Sequence, residues 1–451
     1  MFSVDSRLAI LASQSLCLSS PIQKLESTDT APWYARPMQV LLVNPPIYDF
    51  TAFDFWLRPY GLFRVAGRIQ HACDLTFFDH LISVQRDDWG RGRFPAQPAA
   101  KPAVFSDIKR HYRRYGRPRQ EFRAFLKDRR FDAALIQTVM TYWYPGVQEV
   151  IEDLRAVMPK TKIILGGVYA SLCPEHARSL GADLIVTGND LVPLSSMLPS
   201  LRPGLPYFAP PTSSVAAMKL TDGCPFACTY CAVPLLSPAF AARPVEECLQ
   251  EARHLASRGV QHVAFYDDAL LFQPERVLKP FLEAVIRETL TLAFHTPNAL
   301  HARLVDPAIA ELMVQAGFRS FFLGFESDSV NWLAQTGGKL VPGEFAHAVR
   351  CLREAGASHI TAYIIIGHPD ADAQEAESSM HFAHEQGVRI LLSEYAPVPG
   401  TIDSERSRKW ADLDEPLAHN KTAFTLRRLG TERVNQLKSL CRQLNSRLTG
   451  S

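Results

Sequence analysis

The stretch Asp222-Gly223-Cys224-Pro225-Phe226-Ala227-Cys228-Thr229-Tyr230-Cys231 decides how the rest of this chain is read. It spaces three cysteines as C-x3-C-x2-C and sets an aromatic before the last one. Three thiolates on one short loop can hold three irons of a cubane iron–sulfur cluster. The fourth iron is then left open, unlike that of a four-cysteine electron-transfer cluster. An open iron can bind and activate a small molecule. A structural zinc ion would need a fourth ligand. No second C-x2-C or nearby H-x3-H supplies it, and Cys248 and Cys351 fall on predicted helices.

The remaining composition is that of an ordinary globular protein. A chain of 451 residues predicts two or three domains. Its 48 basic and 46 acidic side chains leave a net charge of +2, which gives no general argument for nucleic acid or an anionic membrane. Of nine cysteines only the three in the loop cluster, so no disulfide framework is expected, and a reducing cytoplasm suits free thiolates. No apolar run reaches the length of a spanning helix. The weakly apolar Leu8–Ala12 lacks a basic start and a cleavage site, so no signal peptide is expected. Residues 1–37 read as an irregular tail, and Met38, just before the first strand, is a candidate start.

Working outward from the loop, two α/β series emerge. Residues 38–200 alternate strands (39–43, 74–78, 133–137, 162–165, 183–186) with helices, which predicts a doubly wound, Rossmann-like parallel sheet. An insertion at about 83–130 carries Lys109-Arg110-His111-Tyr112-Arg113-Arg114, read as a solvated helix face. Residues 201–214 form a Pro-rich linker. Residues 215–400 hold six strands (216–221, 261–266, 291–295, 319–325, 360–366, 389–395) in a partial (β/α)6 barrel. Gly259, Gly317, Gly356 and Gly387 each follow a predicted helix, where a left-handed residue ends it. Polar residues gather after the strands, at the edge that carries chemistry in barrels: Asp222, Asp267, Asp268, His295, Asn298, Glu326, His368 and Glu394. The cysteines follow the first of these strands and open onto the same edge. Residues 401–451 read as a helical C-terminal region with one basic helix over Leu426–Leu448.

The cysteine loop after a first barrel strand resembles the radical S-adenosylmethionine (SAM) superfamily. The resemblance implies Cys224, Cys228 and Cys231 as ligands of a 4Fe-4S cluster, and SAM on the open iron. An electron from the cluster then cleaves SAM to a 5'-deoxyadenosyl radical. It further implies Tyr230 near the adenine and Asp267 or Asp268 on the methionine amine, although the usual Gly-Gly-Glu is here Tyr266-Asp267-Asp268. Glu326 would meet ribose or carboxylate, and Gly367, closing Tyr363-Ile364-Ile365-Ile366-Gly367, would lie in the adenine segment. His295 and His301 are candidate general bases, with plain hydrogen-bonded histidines as the competing reading.

Residues 38–200 resemble the cobalamin-binding modules that precede such barrels. The matching pieces are Leu41-Leu42-Val43-Asn44-Pro45-Pro46, Thr141-Tyr142-Trp143-Tyr144-Pro145-Gly146 and Ile164-Leu165-Gly166-Gly167-Val168-Tyr169-Ala170. Asn44, Tyr142, Gly166 and Gly167 are thus implied at the cobalamin site, the paired glycines letting backbone approach the ligand. The D-x-H-x-x-G motif that gives cobalt a histidine is absent.

The resemblance implies methyl transfer to an unactivated carbon of a small-molecule substrate, with an external electron donor and neither membrane nor nucleic acid as partner. A rearrangement or ring formation in the same architecture stays open. So do a tRNA methylthiotransferase-like enzyme and a non-enzymatic metal-binding or sensor protein.

Overall fold

The computed structural model describes residues 36–207, 214–338 and 340–448. The predicted tail, apart from residues 36 and 37, lies outside the described residues, as does part of the Pro-rich linker. The described residues from Met38 onward form one compact unit.

The N-terminal sheet has five parallel strands: β1 (Met38–Asn44), β2 (Cys73–Asp79), β3 (Ala133–Thr138), β4 (Lys162–Gly167) and β5 (Leu184–Val186). Their spatial order is β5-β4-β3-β1-β2. In β1, Leu41 and Val43 enter one apolar layer while Val40 and Leu42 enter the other, so the sheet is covered on both faces. The strand order reverses between β1 and β3, and a crevice at such a point binds ligands in this fold. The strand ends flanking it carry Asn44-Pro45-Pro46 and Thr138 to Tyr144. Helix α1 (Tyr60–Ile69) follows β1 in the chain, and helix α2 (Tyr144–Val157) follows β3. Gly146 is required where α2 starts, since a Cβ there would lie 1.8 Å from the Pro46 carbonyl oxygen.

The second sheet is the predicted partial barrel of six parallel strands in chain order: β6 (Val215–Met218), β7 (His262–Phe265), β8 (Ala293–His295), β9 (Phe318–Glu326), β10 (Ile360–Ile366) and β11 (Arg389–Glu394). Outward residues such as Val263, Phe265, Phe294 and Phe318 pack under the helices. The glycines after four of those helices, Gly259, Gly317, Gly356 and Gly387, have positive φ, as their cap positions predict.

Three local readings change. The basic stretch is not a helix face: Tyr112 and Arg114 are buried, and Arg113–Tyr115 is the middle strand of a small antiparallel sheet with Ile47–Asp49 and Ala96–Pro98. Arg114 forms a bidentate pair with buried Glu149 at 2.6 and 2.9 Å, so its charge is internal. The Pro-rich linker is tied down where it is described. Arg202 N donates to Arg68 O and Tyr207 N to Phe63 O, so it runs back along α1. The single C-terminal helix is two, α3 (Lys421–Leu429) and α4 (Thr431–Leu448), broken at Gly430 with φ +80°. Leu437 and Leu444 of α4 complete the barrel core, while Ala423 and Leu426 of α3 pack with Phe50 and Phe105 of the N-terminal part.

The segment between β1 and α1 reaches into the barrel. Trp56 is fully buried among the inward residues Val215, Ala264 and Phe322, and stacks on His295 at 4.4 Å and 20°. Its indole N–H donates to Trp89 O at 2.7 Å, and its carbonyl accepts from the Tyr266 hydroxyl at 2.5 Å. Behind it, buried Asp54 holds Arg58 and Arg86 at 3.2 and 2.7 Å. No described helix is long and apolar enough to cross a membrane. Trp56→Ala should lower stability by about 3–5 kcal/mol, the usual range for emptying a buried indole site. Urea unfolding measures it, and a loss under about 1 kcal/mol would refute the plug.

Candidate functional site

The cysteine loop leaves β6 through Lys219 and Leu220. A two-residue ribbon pins its base, Thr221–Asp222 pairing antiparallel with Ala241–Ala242. Gly223 has φ +77°, and a Cβ there would sit 2.3 Å from Ala239 O, so the turn into the cysteines admits only glycine. Gly337 lies close against the loop from outside, since a Cβ there would sit 3.0 Å from Ala227 O and the Cys228 Cα. Cys224, Cys228 and Cys231 are all half-buried, and none is in a disulfide. Burial, with the neighbouring Cys228, Cys224 and Asp268, pushes the Cys231 thiol up to about 11. Three such sulfurs ionise together when a cation holds them. Among the described residues no three His, Cys, Asp or Glu side chains converge as ligands of one metal ion. A cubane asks for something different, one thiolate for each of three irons, and the loop offers that donor set.

The other residues singled out at the barrel mouth divide by environment. Tyr230 stacks on Trp332 at 6.0 Å and 13°. Burial pushes its phenol well above 10, and the Glu326, Cys228 and Cys231 charges add to this. Asp267 is a buried clamp: its Oδ1 accepts from Thr221 N at 2.6 Å and Thr221 Oγ1 at 2.7 Å, and both oxygens accept from Leu220 N. Burial raises its carboxyl to about 6. That leaves Asp268 as the freer acid, paired to Lys219 at 3.1 Å, with Lys219 also 3.3 Å from Asp222. Glu326 ends β9 at φ +68°, where the register with β10 slips. A non-glycine residue held there is strained, and its charge reaches the Tyr230 and Tyr363 phenols. Gly367 has a packing reason, since a Cβ would lie 2.6 Å from Thr425 Oγ1 of α3.

At the N-terminal sheet, Asn44 Nδ2 donates to Asp79 Oδ1 at 2.8 Å and ties the ends of β1 and β2 together. Tyr142 is buried, so the aromatic loop presents no Tyr142 face outward. Neighbouring Trp143 bonds Asp49 at 2.8 Å, and Tyr144 stacks on Tyr169. Of the paired glycines, Gly167 is conformationally bound. It has φ +109°, and a Cβ would lie 2.2 Å from Thr138 O, so what approaches it is the adjacent strand. Gly166 has room, since a Cβ there would come no nearer than 3.8 Å to Val186.

These two carboxyl edges meet. Asn189 Nδ2 donates to Ser237 Oγ at 2.8 Å and Gly188 lies against Leu236 O, while Thr141 Oγ1 lies 3.0 Å from His419 Nδ1 of the C-terminal region. Met140 on one edge and Leu235 on the other stand exposed. Sequence reasoning missed Trp56 and Asp403. An isolated Trp in an irregular stretch carries no signal, and Asp403 reads only as an acid in a helix first turn.

His295 and His301 lie away from free solvent. His301 is buried against the Phe226 ring at 4.2 Å. His295 lies beneath Trp56, with Nδ1 2.8 Å from Ser320 Oγ and Nε2 3.1 Å from His262 Nδ1. Burial, then the His262 and Arg91 charges, push its imidazole down to about 3.

A radical SAM superfamily model matches residues 218–383, and a B12 binding domain model matches residues 107–195. Ribosomal protein uS12 methylthiotransferase RimO of Geotalea uraniireducens is 26% identical over 294 residues, covering 62% of this chain and 63% of that protein. The chain spans less than two thirds of the length of the curated relatives it matches first. The radical SAM methyltransferase TsrM from Kitasatospora setae, solved with cobalamin and a 4Fe-4S cluster bound, superposes with a TM-score of 0.61 at 14% identity, covering 89% of this chain and 90% of that one. The cobalamin-dependent SAM radical enzyme OxsB, with aqua-cobalamin and SAM bound, gives 0.52 at 12%, covering 90% and 61%. At these identities the likeness establishes the fold.

The His295 environment has a pH signature. With its folded pKa below the ordinary 6.5, the unfolded chain takes up the proton first as pH falls. The stability tied to the neutral ring is therefore whole above about 6.5 and is lost on the way down toward about 3. Urea midpoints between about pH 7.5 and 4.5 should fall more steeply for the wild type than for His295→Gln. Equal slopes would mean that the ring is not held neutral.

Proposed function

We propose, for a chain that belongs to the radical SAM superfamily and carries a B12-binding domain ahead of its barrel, a cobalamin-dependent enzyme that cleaves SAM reductively and methylates an unactivated carbon of a small molecule. The observation that carries this reading is the meeting of the two carboxyl edges. The loop after β5 meets the segment that follows the cysteine loop through Asn189 and Ser237, and Thr141, beside the β1/β3 crevice, meets His419 of the C-terminal region. When bound, the cluster with SAM supplies a carbon-centred radical and cobalamin a transferable methyl group.

The chain's own residues then have distinct tasks. Cys224, Cys228 and Cys231 hold the cluster. Asp268, paired with Lys219, takes the methionine amine, while buried Asp267 fixes the loop base. Glu326 and Tyr230 bound the nucleoside side. Gly166, Met140 and Leu235 offer the corrinoid open backbone and apolar surface. The tight fit of the N-terminal part into the barrel excludes water from below. An external donor in a reducing cytoplasm supplies electrons. Rearrangement or ring formation uses the same residues. The RimO relative favours a second reading, a methylthiotransferase. Against it, among the described residues the cysteines outside the loop form no set: Cys73 is buried in β2, Cys173 follows a short helix, and the C-terminal region is helical.

Anaerobic reconstitution with iron and sulfide should load about four irons per chain. Cys224→Ala, Cys228→Ala or Cys231→Ala should each lose most of them. Reduced wild type should release 5'-deoxyadenosine from SAM and keep a corrinoid absorption through gel filtration after loading with hydroxocobalamin. Iron uptake indifferent to all three substitutions overturns the cluster assignment, and absent corrinoid retention removes cobalamin.

A further inference from the structure

A buried polar chain from the C-terminal region ends on the cysteine loop. Thr229 sits immediately after Cys228, and all its polar groups are engaged. Its Oγ1 donates to Asp403 Oδ2 at 2.5 Å, its carbonyl accepts from Asp403 N at 3.2 Å, and its N–H donates to Thr336 O at 3.3 Å. Asp403 Oδ2 also lies 2.9 Å from His368 Nε2, with both side chains fully buried. His368 Nδ1 is 3.2 Å from Trp332 Nε1 and 3.2 Å from Asp370 N. Both of those groups can only donate, so Nδ1 accepts, and the ring proton sits on Nε2 and points at Asp403. Arg406 Nη1 reaches the other carboxylate oxygen at 3.3 Å as an ion pair. Trp332 closes the chain by stacking under Tyr230, next to Cys231.

The carboxylate in this chain is ionised. Burial opposes that form, but the bonds from His368 and Thr229 and the nearby charge of Arg406 outweigh it and hold Asp403 below the ordinary aspartate range. A buried carboxylate is expensive unless each bond it accepts is fixed. Here two fixed bonds converge on its Oδ2, one from the cysteine loop and one from His368.

We propose that Asp403, oriented by His368, is the positioning residue of the cysteine loop: it fixes Thr229 so that Cys228 and Cys231 present their sulfurs in one arrangement, and its negative charge behind the loop keeps the cluster's reduction potential low. This rests on the cluster reading above. Cluster potentials follow local charge and hydrogen bonding, so loss of a nearby negative charge moves them upward.

The test compares reconstituted wild type with Asp403→Asn, Thr229→Val and Thr229→Ser. Readouts are iron per chain, the EPR spectrum of the reduced cluster and its midpoint potential, with circular dichroism to check the fold. Asp403→Asn keeps the shape and loses the charge, so it should load iron with a more positive potential. Thr229→Val should lose iron on gel filtration and broaden the EPR signal, and Thr229→Ser should restore both. Asp403→Ala should lose the most iron. Where it misfolds, the Thr229 pair carries the test. Wild-type iron, spectrum and potential in both Asp403→Asn and Thr229→Val would overturn the proposal while leaving the cluster reading intact. Wild-type protein that binds no cluster at all would overturn both.

Discussion

The packing of Trp56 inside the barrel is the contact on which the rest of the architecture depends. A six-stranded partial barrel has an interior that its own short side chains, such as Val215 and Ala264, do not fill. An aromatic from the other sheet's first connection fills it and stacks on a histidine kept neutral by burial. The Asp54 pairs with Arg58 and Arg86 anchor that connection on either side. One carboxylate matches only one of the two guanidinium charges, and Arg86 keeps part of its side chain in solvent, which limits the cost of the other. With the interior closed from this side, chemistry is confined to the carboxyl edges.

The cysteine loop is likewise not a local device. Its base is a ribbon closed within residues 221–242, its flank is touched by Gly337, and its centre is gripped from residue 403. Three distant parts of the chain thus fix ten residues. Loops that carry reactive groups are commonly held by rigid scaffolds, and here the scaffold includes the C-terminal region. That region also binds the N-terminal part through Asn420 to Asp49 at 2.9 Å and His419 to Thr141. It belongs to both halves.

Both sheets were legible in the sequence because period and punctuation agree there. Apolar runs such as Ile163-Ile164-Leu165 suit strands covered on both faces, and glycines end the helices between them. The cysteine spacing was legible because it is contiguous. The rest depends on contacts between residues far apart in the chain. Asp267 and Asp268 are adjacent and chemically alike, and only the fold separates the buried clamp from the freer acid. Gly167 reads as a ligand-facing glycine until its clash with Thr138 O is seen. The basic run around Arg114 reads as surface because its partner Glu149 lies in another element. Gly430 was misread because a positive-φ break inside a helical pattern resembles a tolerated glycine.

The placement of Trp56 also bears on how the protein is made. Domains tend to fold in the order in which the ribosome releases them. The sheet that carries Trp56 emerges first, and the inward residues of β7, β8 and β9 that cover the indole emerge much later. Until then a large apolar ring, held at φ +56° in the finished fold, lacks the barrel side of its cover. Contacts this far apart in sequence form slowly. The nascent N-terminal half is therefore a natural client for chaperones, and production of that half alone is prone to aggregation.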